Sequence, residues 1–126
     1  RVSVEIIAVI EPIDDTLKAI DYITSVGAFP TICVFRPTLG TEMEDYPSPK
    51  CEDMAKIFRR MYESLIKNNI PIGIAPNIHV SLVVQPTEGK YFIEQKTLGY
   101  YKYQLKLSLL KMIYRPLFRL KMMRHK

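Results

Sequence analysis

The chain has 126 residues, 48% of them apolar and 25% charged, which is typical of one folded domain and argues against disorder. The longest apolar run, residues 6–10, is far shorter than the ~20 residues of a membrane-spanning helix. The start lacks both Met and a signal-peptide pattern, so we expect a cytoplasmic protein with sequence missing upstream. Two cysteines, Cys33 and Cys51, exclude a disulfide framework and a self-contained cysteine-based zinc or iron–sulfur site.

Charge is distributed unevenly along the chain. Residues 1–94 hold all 13 acidic residues and 9 of the 18 basic ones, whereas residues 95–126 hold the other 9 basic residues and no acidic one. We therefore divide the chain into a mildly acidic body (1–94) and a basic amphipathic C-terminal helical arm (95–126). Such a split predicts either an anionic surface as the partner of the arm or docking of the arm on the body.

The first part of the chain has the pattern of a strand–helix–strand unit. Residues 2–10 and 31–35 are nearly continuous β-branched and apolar runs, which predict strands covered on both faces. Between them, apolar residues at helical spacing from Ile13 to Ile23 predict a helix, and Gly27 is placed to end it.

A second helix is predicted to begin after Ser48-Pro49 and to end at Asn68-Asn69. Its apolar residues recur at three- and four-residue steps: Met54, Ile57, Phe58, Met61, Tyr62, Leu65 and Ile66. A third strand is predicted at residues 78–84 and a turn at 85–89. From Thr97 the chain is predicted to be helical and to be interrupted or bent at Pro116.

This alternation predicts an α/β fold in which parallel strands are joined by right-handed crossovers, as a βαβαβα segment. Three strands cannot close an eight-stranded barrel, so we expect the chain to be part of a larger barrel or doubly wound sheet.

Residues that follow the strands are the candidates for ligand binding, because ligands of α/β folds bind at the carboxyl ends of strands. Glu11 follows the first strand, and it either contacts a ligand or only begins a loop next to a helix N-terminus. Arg36 follows the second strand and is suited to pair with an anionic group, while Gly40 would permit close backbone approach. The alternative is that Arg36 and Gly40 belong to an ordinary polar loop. His79 has no partner for metal binding in the sequence pattern, and Cys51 has no neighbouring base.

Three stretches resemble the C-terminal half of radical S-adenosylmethionine (SAM) enzymes of the biotin-synthase-like group. Residues 4–12 are similar to the family's GxIxGxxE strand, with Val4 and Ala8 in place of its glycines. Residues 27–30 are similar to its Gly-x-x-Pro turn, and residues 35–41 to the strand that ends in a Gly-Thr loop. The resemblance covers residues 2–45 and implies part of a radical SAM partial TIM barrel.

In that family the first strand packs beside the adenine and sulfonium of SAM, and the second offers backbone groups to the adenine. The resemblance, together with the position of Arg36, implies a SAM site made of Ile6, Ala8, Glu11, Cys33, Val34, Phe35 and Arg36. The family's CxxxCxxC loop, whose thiolates hold a [4Fe-4S] cluster, is absent from the sequence. The resemblance therefore implies that the missing N-terminal half of the barrel supplies the cluster.

The arm carries an apolar stripe that we expect to dock on the body: Leu98, Tyr101, Leu105, Leu109 and Met112. The end beyond Pro116 is expected to be held loosely.

We thus expect a C-terminal fragment of a radical SAM enzyme that lines the SAM pocket, acts on an unknown substrate and is inactive alone. One alternative is a non-catalytic α/β module whose basic arm binds a membrane surface or nucleic acid. Another is part of an unrelated (β/α)₈ enzyme.

Overall fold

The computed structural model describes residues 2–74 and 83–124. The elements in chain order are β1 (Ser3–Ala8), α1 (Ile13–Ser25), β2 (Phe29–Val34), α2 (Cys51–Lys67), β3 (Val83–Val84), a 3₁₀ helix (Pro86–Phe92) and α3 (Leu98–Arg124). The fold is mixed α/β, as predicted, with a three-stranded sheet in the order β1-β2-β3.

The sheet is mixed rather than parallel. Strands β1 and β2 are parallel, in register from Ser3 opposite Phe29 to Ala8 opposite Val34, with α1 as their connection. Strand β3 is antiparallel to β2, so the prediction of three parallel strands was wrong. Direction is not encoded in a strand's apolar pattern, which reads the same both ways, and mixed sheets often carry an antiparallel edge strand. Most of the predicted third strand (78–84) lies outside the described residues.

Both predicted helix ends are confirmed, and both use a left-handed residue just past the helix. At the end of α1, Gly27 has φ +81° and its N–H donates to the Thr24 carbonyl at 3.1 Å. The Ala28 N–H donates to the Ile23 carbonyl at 3.2 Å. Asn69 ends α2 in the same way with φ +53°. Glycine adopts this conformation without strain, and asparagine tolerates it better than most residues do.

Gly27→Ala is expected to lower the free energy of unfolding by about 1–2 kcal/mol, because alanine is strained at positive φ. An added Cβ meets no atom within 4 Å there, so the effect is one of the backbone alone. The same substitution at Gly99, in the first turn of α3, should instead stabilise by about 0.5–1 kcal/mol. Urea titrations of both variants provide the measurement, and a shift of equal sign in the two would contradict this account of the helix end.

The core lies where α1 and α2 meet one face of the sheet. The predicted stripe of α2 faces it, with Ile57, Met61 and Leu65 fully buried. In β1, residues Val4, Ile6 and Ala8 turn towards this core, whereas Ser3, Glu5 and Ile7 are exposed. The helices α1 and α2 pack against each other and share one core cluster with β1, which leaves the other face of β1 exposed. The prediction that β1 is covered on both faces was therefore wrong for this chain.

A polar contact joins α1 to α2. The Arg60 Nε donates to Asp21 Oδ1 at 2.9 Å, and the Ser64 hydroxyl donates to the same oxygen at 2.7 Å. The hydrogen bond from Arg60 is the main cause that holds the pKa of Asp21 below its ordinary value. The contact fixes the two helices relative to each other over the core.

Helix α3 docks through a face other than the predicted one. Tyr103 and Leu107 are buried, and the Tyr103 hydroxyl donates to the Ile70 carbonyl. Gln104 donates to the Tyr62 hydroxyl, and Lys106 Nζ donates to Asn69 Oδ1 at 2.8 Å. The predicted stripe, Leu98, Tyr101, Leu105, Leu109 and Met112, is between 48% and 72% exposed. The prediction was wrong because α3 has apolar residues at helical spacing on two faces, and the docked face also offers polar contacts to the body.

Helix α3 runs without interruption through Pro116. Proline removes one hydrogen-bond donor, and the residue whose carbonyl would accept it, Met112, is exposed to water. Of the two predicted outcomes, an interruption at Pro116 is therefore absent, and a bend there stays a prediction.

Candidate functional site

A cleft of about 430 Å³ lies beside the carboxyl end of β2. It has apolar, aromatic and charged walls, lined by Val34, Arg36, Val83, Val84, Glu88, Tyr91 and Phe92. Residues from the parallel unit form one side, and the 3₁₀ helix forms the other. The cleft is therefore at the edge of the sheet where ligand binding is predicted.

Arg36, one of the predicted site residues, is a cation that lines this cleft. It follows β2 directly and precedes Pro37, which favours an extended backbone at Arg36 and discourages a helix there. Its guanidinium makes no ion pair within residues 2–74 and 83–124, whereas Arg59 pairs with Glu94 and Arg60 with Asp21. Arg36 is thus an exposed charge at the cleft that the described part of the body does not neutralise.

The loop after Arg36 is held by its own contacts. The Gly40 N–H donates to a carboxylate oxygen of Glu44 at 2.7 Å, and the Thr41 hydroxyl donates to the Thr38 carbonyl at 2.8 Å. The ring of Phe35 packs edge-on against Tyr46, with centroids 6.1 Å apart. Gly40 is predicted to permit close backbone approach, and its N–H is used inside the loop.

The opposite wall begins with a capping box at the 3₁₀ helix. The Gln85 N–H donates to Glu88 Oε2 at 2.7 Å, and the Gln85 side chain accepts from the backbone at Glu88. Pro86 occupies the first turn, where its missing N–H costs nothing. These local bonds fix the carboxylate of Glu88 at the cleft.

Helix α2 supports the far end of this wall. The Arg59 Nε donates to the Phe92 carbonyl at 3.1 Å, and the rings of Phe58 and Phe92 have centroids 4.9 Å apart. A Cβ on Gly89 would lie only 3.1 Å from the Phe58 carbonyl oxygen, so a larger residue would have to displace its neighbours by a few tenths of an ångström. Core packing therefore positions Phe92, whereas its neighbour Tyr91 is exposed and has the Lys90 ammonium over its ring at 4.8 Å.

The predicted site residues divide into two groups. Val34 and Arg36 line the cleft. The other five are not among its described lining residues: Ile6, Ala8, Glu11, Cys33 and Phe35. Ala8 lies opposite Val34 in the sheet but is fully buried, while Ile6, Cys33 and Phe35 are half-buried. Glu11 is exposed in the turn between β1 and α1.

The residue after β1 is strained. Val9 has φ +75°, a conformation that β-branched residues rarely adopt. Strain of this kind clusters at ligand sites and turns, and here it turns the chain out of the sheet towards Glu11. The end of β1 is thus held in place by its surroundings.

Sequence reasoning missed Glu88, Tyr91 and Phe92. Residues 85–89 were predicted as a turn, and no role was given to the residues after them. The spacing of Gln85 and Glu88 around Pro86 is the local signal of a capping box. No local signal places Tyr91 and Phe92 beside β2, because that depends on contacts with α2.

The described residues do not fit an iron–sulfur cluster. Cys33 and Cys51 are both free, one half-buried in β2 and the other exposed at the start of α2. Within the described ranges, no group of three or more His, Cys, Asp or Glu residues is arranged to hold a metal ion. A [4Fe-4S] cluster needs three or four thiolates, so these two cysteines cannot hold one. Among the helices described, none has the length and apolarity required to cross a membrane.

The chain matches no protein-family model, no curated protein and no solved structure.

Proposed function

We propose that the cleft binds the adenosyl and methionyl parts of SAM, and that this chain forms one wall of the pocket of a radical SAM enzyme. The observation that carries the proposal is that Arg36, which forms no ion pair with the described residues, shares one cleft with Tyr91, Phe92 and apolar side chains. A volume of about 430 Å³ lies within the range of roughly 300–1,000 Å³ that is usual for small-molecule sites. Support from the fold is limited to the parallel unit β1–α1–β2.

The walls complement the chemistry of SAM. Its adenine is planar and apolar on both faces, which suits Tyr91 and Phe92 beside the valines of β2 and β3. Its carboxylate is suited to a bidentate pair with the guanidinium of Arg36. Its ammonium and sulfonium are cationic, and Glu88 supplies a carboxylate in the same cleft.

Arg36 and Glu88 would thus orient the two charged ends of the ligand, while the aromatic wall would exclude water from the base. When reduced by a cluster, SAM supplies the radical chemistry of this enzyme class. In our proposal the cluster is held by residues outside these 126. The residues of this chain bind and orient.

Arg36→Ala is expected to weaken SAM binding roughly 10- to 150-fold, which corresponds to about 1.5–3 kcal/mol for lost charge-assisted hydrogen bonds. Isothermal titration calorimetry with SAM measures this directly. Arg36→Lys, which keeps the charge but loses the bidentate geometry, should fall between wild type and alanine.

Lys50→Ala is the matched control, because it removes an exposed cation at the N-terminus of α2, outside the lining of the cleft. It should leave SAM binding unchanged. Equal binding by wild type and Arg36→Ala, or no binding by either, would contradict the proposed SAM site.

A further inference from the structure

Helix α3 exposes a continuous apolar stripe along its whole length. The stripe from Leu98 to Met112 continues at the same three- and four-residue steps through Pro116, Leu120 and Met123, all of them exposed. We call these residues the outer face of α3. A helix of 27 residues is about 40 Å long, so the outer face is a large apolar surface.

The outer face points away from the body. Leu105 and Leu109 each follow a docked residue, Tyr103 and Leu107, by two positions, which is a rotation of about 200° around a helix. The described body therefore lies behind α3 and does not obstruct a flat surface that approaches the outer face.

Further apolar residues near the C-terminal end of α3 lie on another side of the helix. Tyr114, Leu117 and Phe118 are exposed, but they line a pocket of about 360 Å³ with Ile74 of the body. They are therefore not part of the outer face.

Both flanks of the outer face are basic. Lys102 lies on one side, where the neighbouring Lys106 is bonded to Asn69 of the body. Lys111, Arg115 and Arg119 follow one another at four-residue steps on the other side. Those three share a shallow depression of about 620 Å³ with Met112, Pro116 and Leu120 of the outer face. No acidic residue occurs from position 95 onwards, and no cation of α3 forms an ion pair within the described residues.

The surroundings of Lys111 lower its pKa. Partial burial is the first cause that lowers its pKa, and the neighbouring charges of Arg115 and Lys90 lower it further. An anionic group next to these residues would relieve that repulsion.

We propose that the outer face of α3 lies flat on a membrane that contains anionic phospholipids, with its apolar residues among the acyl chains and its cations at the phosphates. Long basic side chains can place their alkyl parts against lipid and their charges at the headgroups, which suits both flanks. A second copy of α3 fits less well, because its flanks would bring like charges together. Nucleic acid would meet the cations but leave the leucines and methionines uncovered. The inference does not depend on the SAM cleft, which lies on the body.

Sedimentation with vesicles tests the proposal on the whole 126-residue chain. Vesicles of phosphatidylcholine with about 30% phosphatidylserine should bind it at least ~10-fold more strongly than phosphatidylcholine alone, with a marked loss at high salt. Leu105→Asp with Leu109→Asp should reduce binding by at least ~10-fold, because both changes place charge in the apolar interface.

Matched control variants show whether a loss of vesicle binding is specific to α3. Leu39→Asp makes the same change at an exposed loop position of the body and should bind vesicles like wild type. Arg115→Gln with Arg119→Gln should lose about 10- to 30-fold on anionic vesicles at low salt. The same double change at Lys18 and Lys50, on the body, should lose much less. Circular dichroism verifies that each variant is folded.

Three results would overturn the inference. One is equal binding to neutral and anionic vesicles. Another is a dimer in sedimentation equilibrium that Leu105→Asp with Leu109→Asp dissociates, with no vesicle binding by wild type. The third is binding to single-stranded RNA that the arginine variant weakens and the leucine variant does not, again without vesicle binding. Retained SAM binding in any of these cases would leave the proposed function standing.

Discussion

Leu65→Ala is expected to lower the free energy of unfolding by about 2–5 kcal/mol, the range for a leucine deleted from a packed core. Leu65 is 0% exposed on the face of α2 that meets the sheet. Its truncation removes apolar contacts and leaves a cavity that the surrounding side chains fill only in part. Urea unfolding followed by far-UV circular dichroism gives the difference.

Leu39→Ala is the control, since Leu39 is 91% exposed in the loop after β2. It should change the stability by less than about 0.5 kcal/mol. Similar losses for the two variants would mean that α2 does not pack on the sheet as described.

The second large effect is a loss of stability at alkaline pH that originates at Tyr62. This side chain is 1% exposed, and its burial, with a smaller effect from Tyr100, raises its pKa to about 12. The unfolded chain releases the same proton near the ordinary tyrosine pKa of about 10. The contribution is therefore fully present below pH ~10 and is lost as the pH rises towards ~12, amounting to about 2–3 kcal/mol.

Tyr62→Phe should remove this part of the pH dependence, so that the stability difference between wild type and variant changes between pH ~10 and ~12. Tyr22→Phe provides the control, because it makes the same change at a tyrosine that is 70% exposed on α1. Unfolding curves of the three proteins across this range give the comparison. Parallel pH profiles for wild type and Tyr62→Phe would show that the Tyr62 hydroxyl is not buried.

The features predicted correctly from the sequence depend on short stretches of chain. The core face of α2 follows from a single apolar stripe, and the helix ends at Gly27 and Asn69 follow from residues that adopt positive φ. The place of Arg36 beside a cleft follows from its position directly after a strand. Its role in ligand binding stays a prediction.

The features that were missed depend on tertiary contacts. The direction of β3 has no signature in its own residues. In α3, two faces satisfy helical spacing, and the hydroxyl of Tyr103 and the amide of Gln104 decide which one docks. Phe92 reaches the cleft because α2, more than 30 positions earlier in the chain, supports it through Arg59.

The supports of the cleft imply that its two walls differ in stiffness. Gly89 and Phe92 are held against α2 by core packing, so the part of the wall that they form moves only with the core itself. Arg36 is an exposed side chain with several rotatable bonds, ahead of a loop held by its own turns. The stiff wall would thus determine which ligand shapes fit the cleft. Most of the conformational entropy that the protein loses on binding would come from Arg36. Replacing Arg36 by a shorter side chain would weaken the attraction of the cleft for an anionic ligand. It would also reduce the conformational entropy that the protein loses on binding.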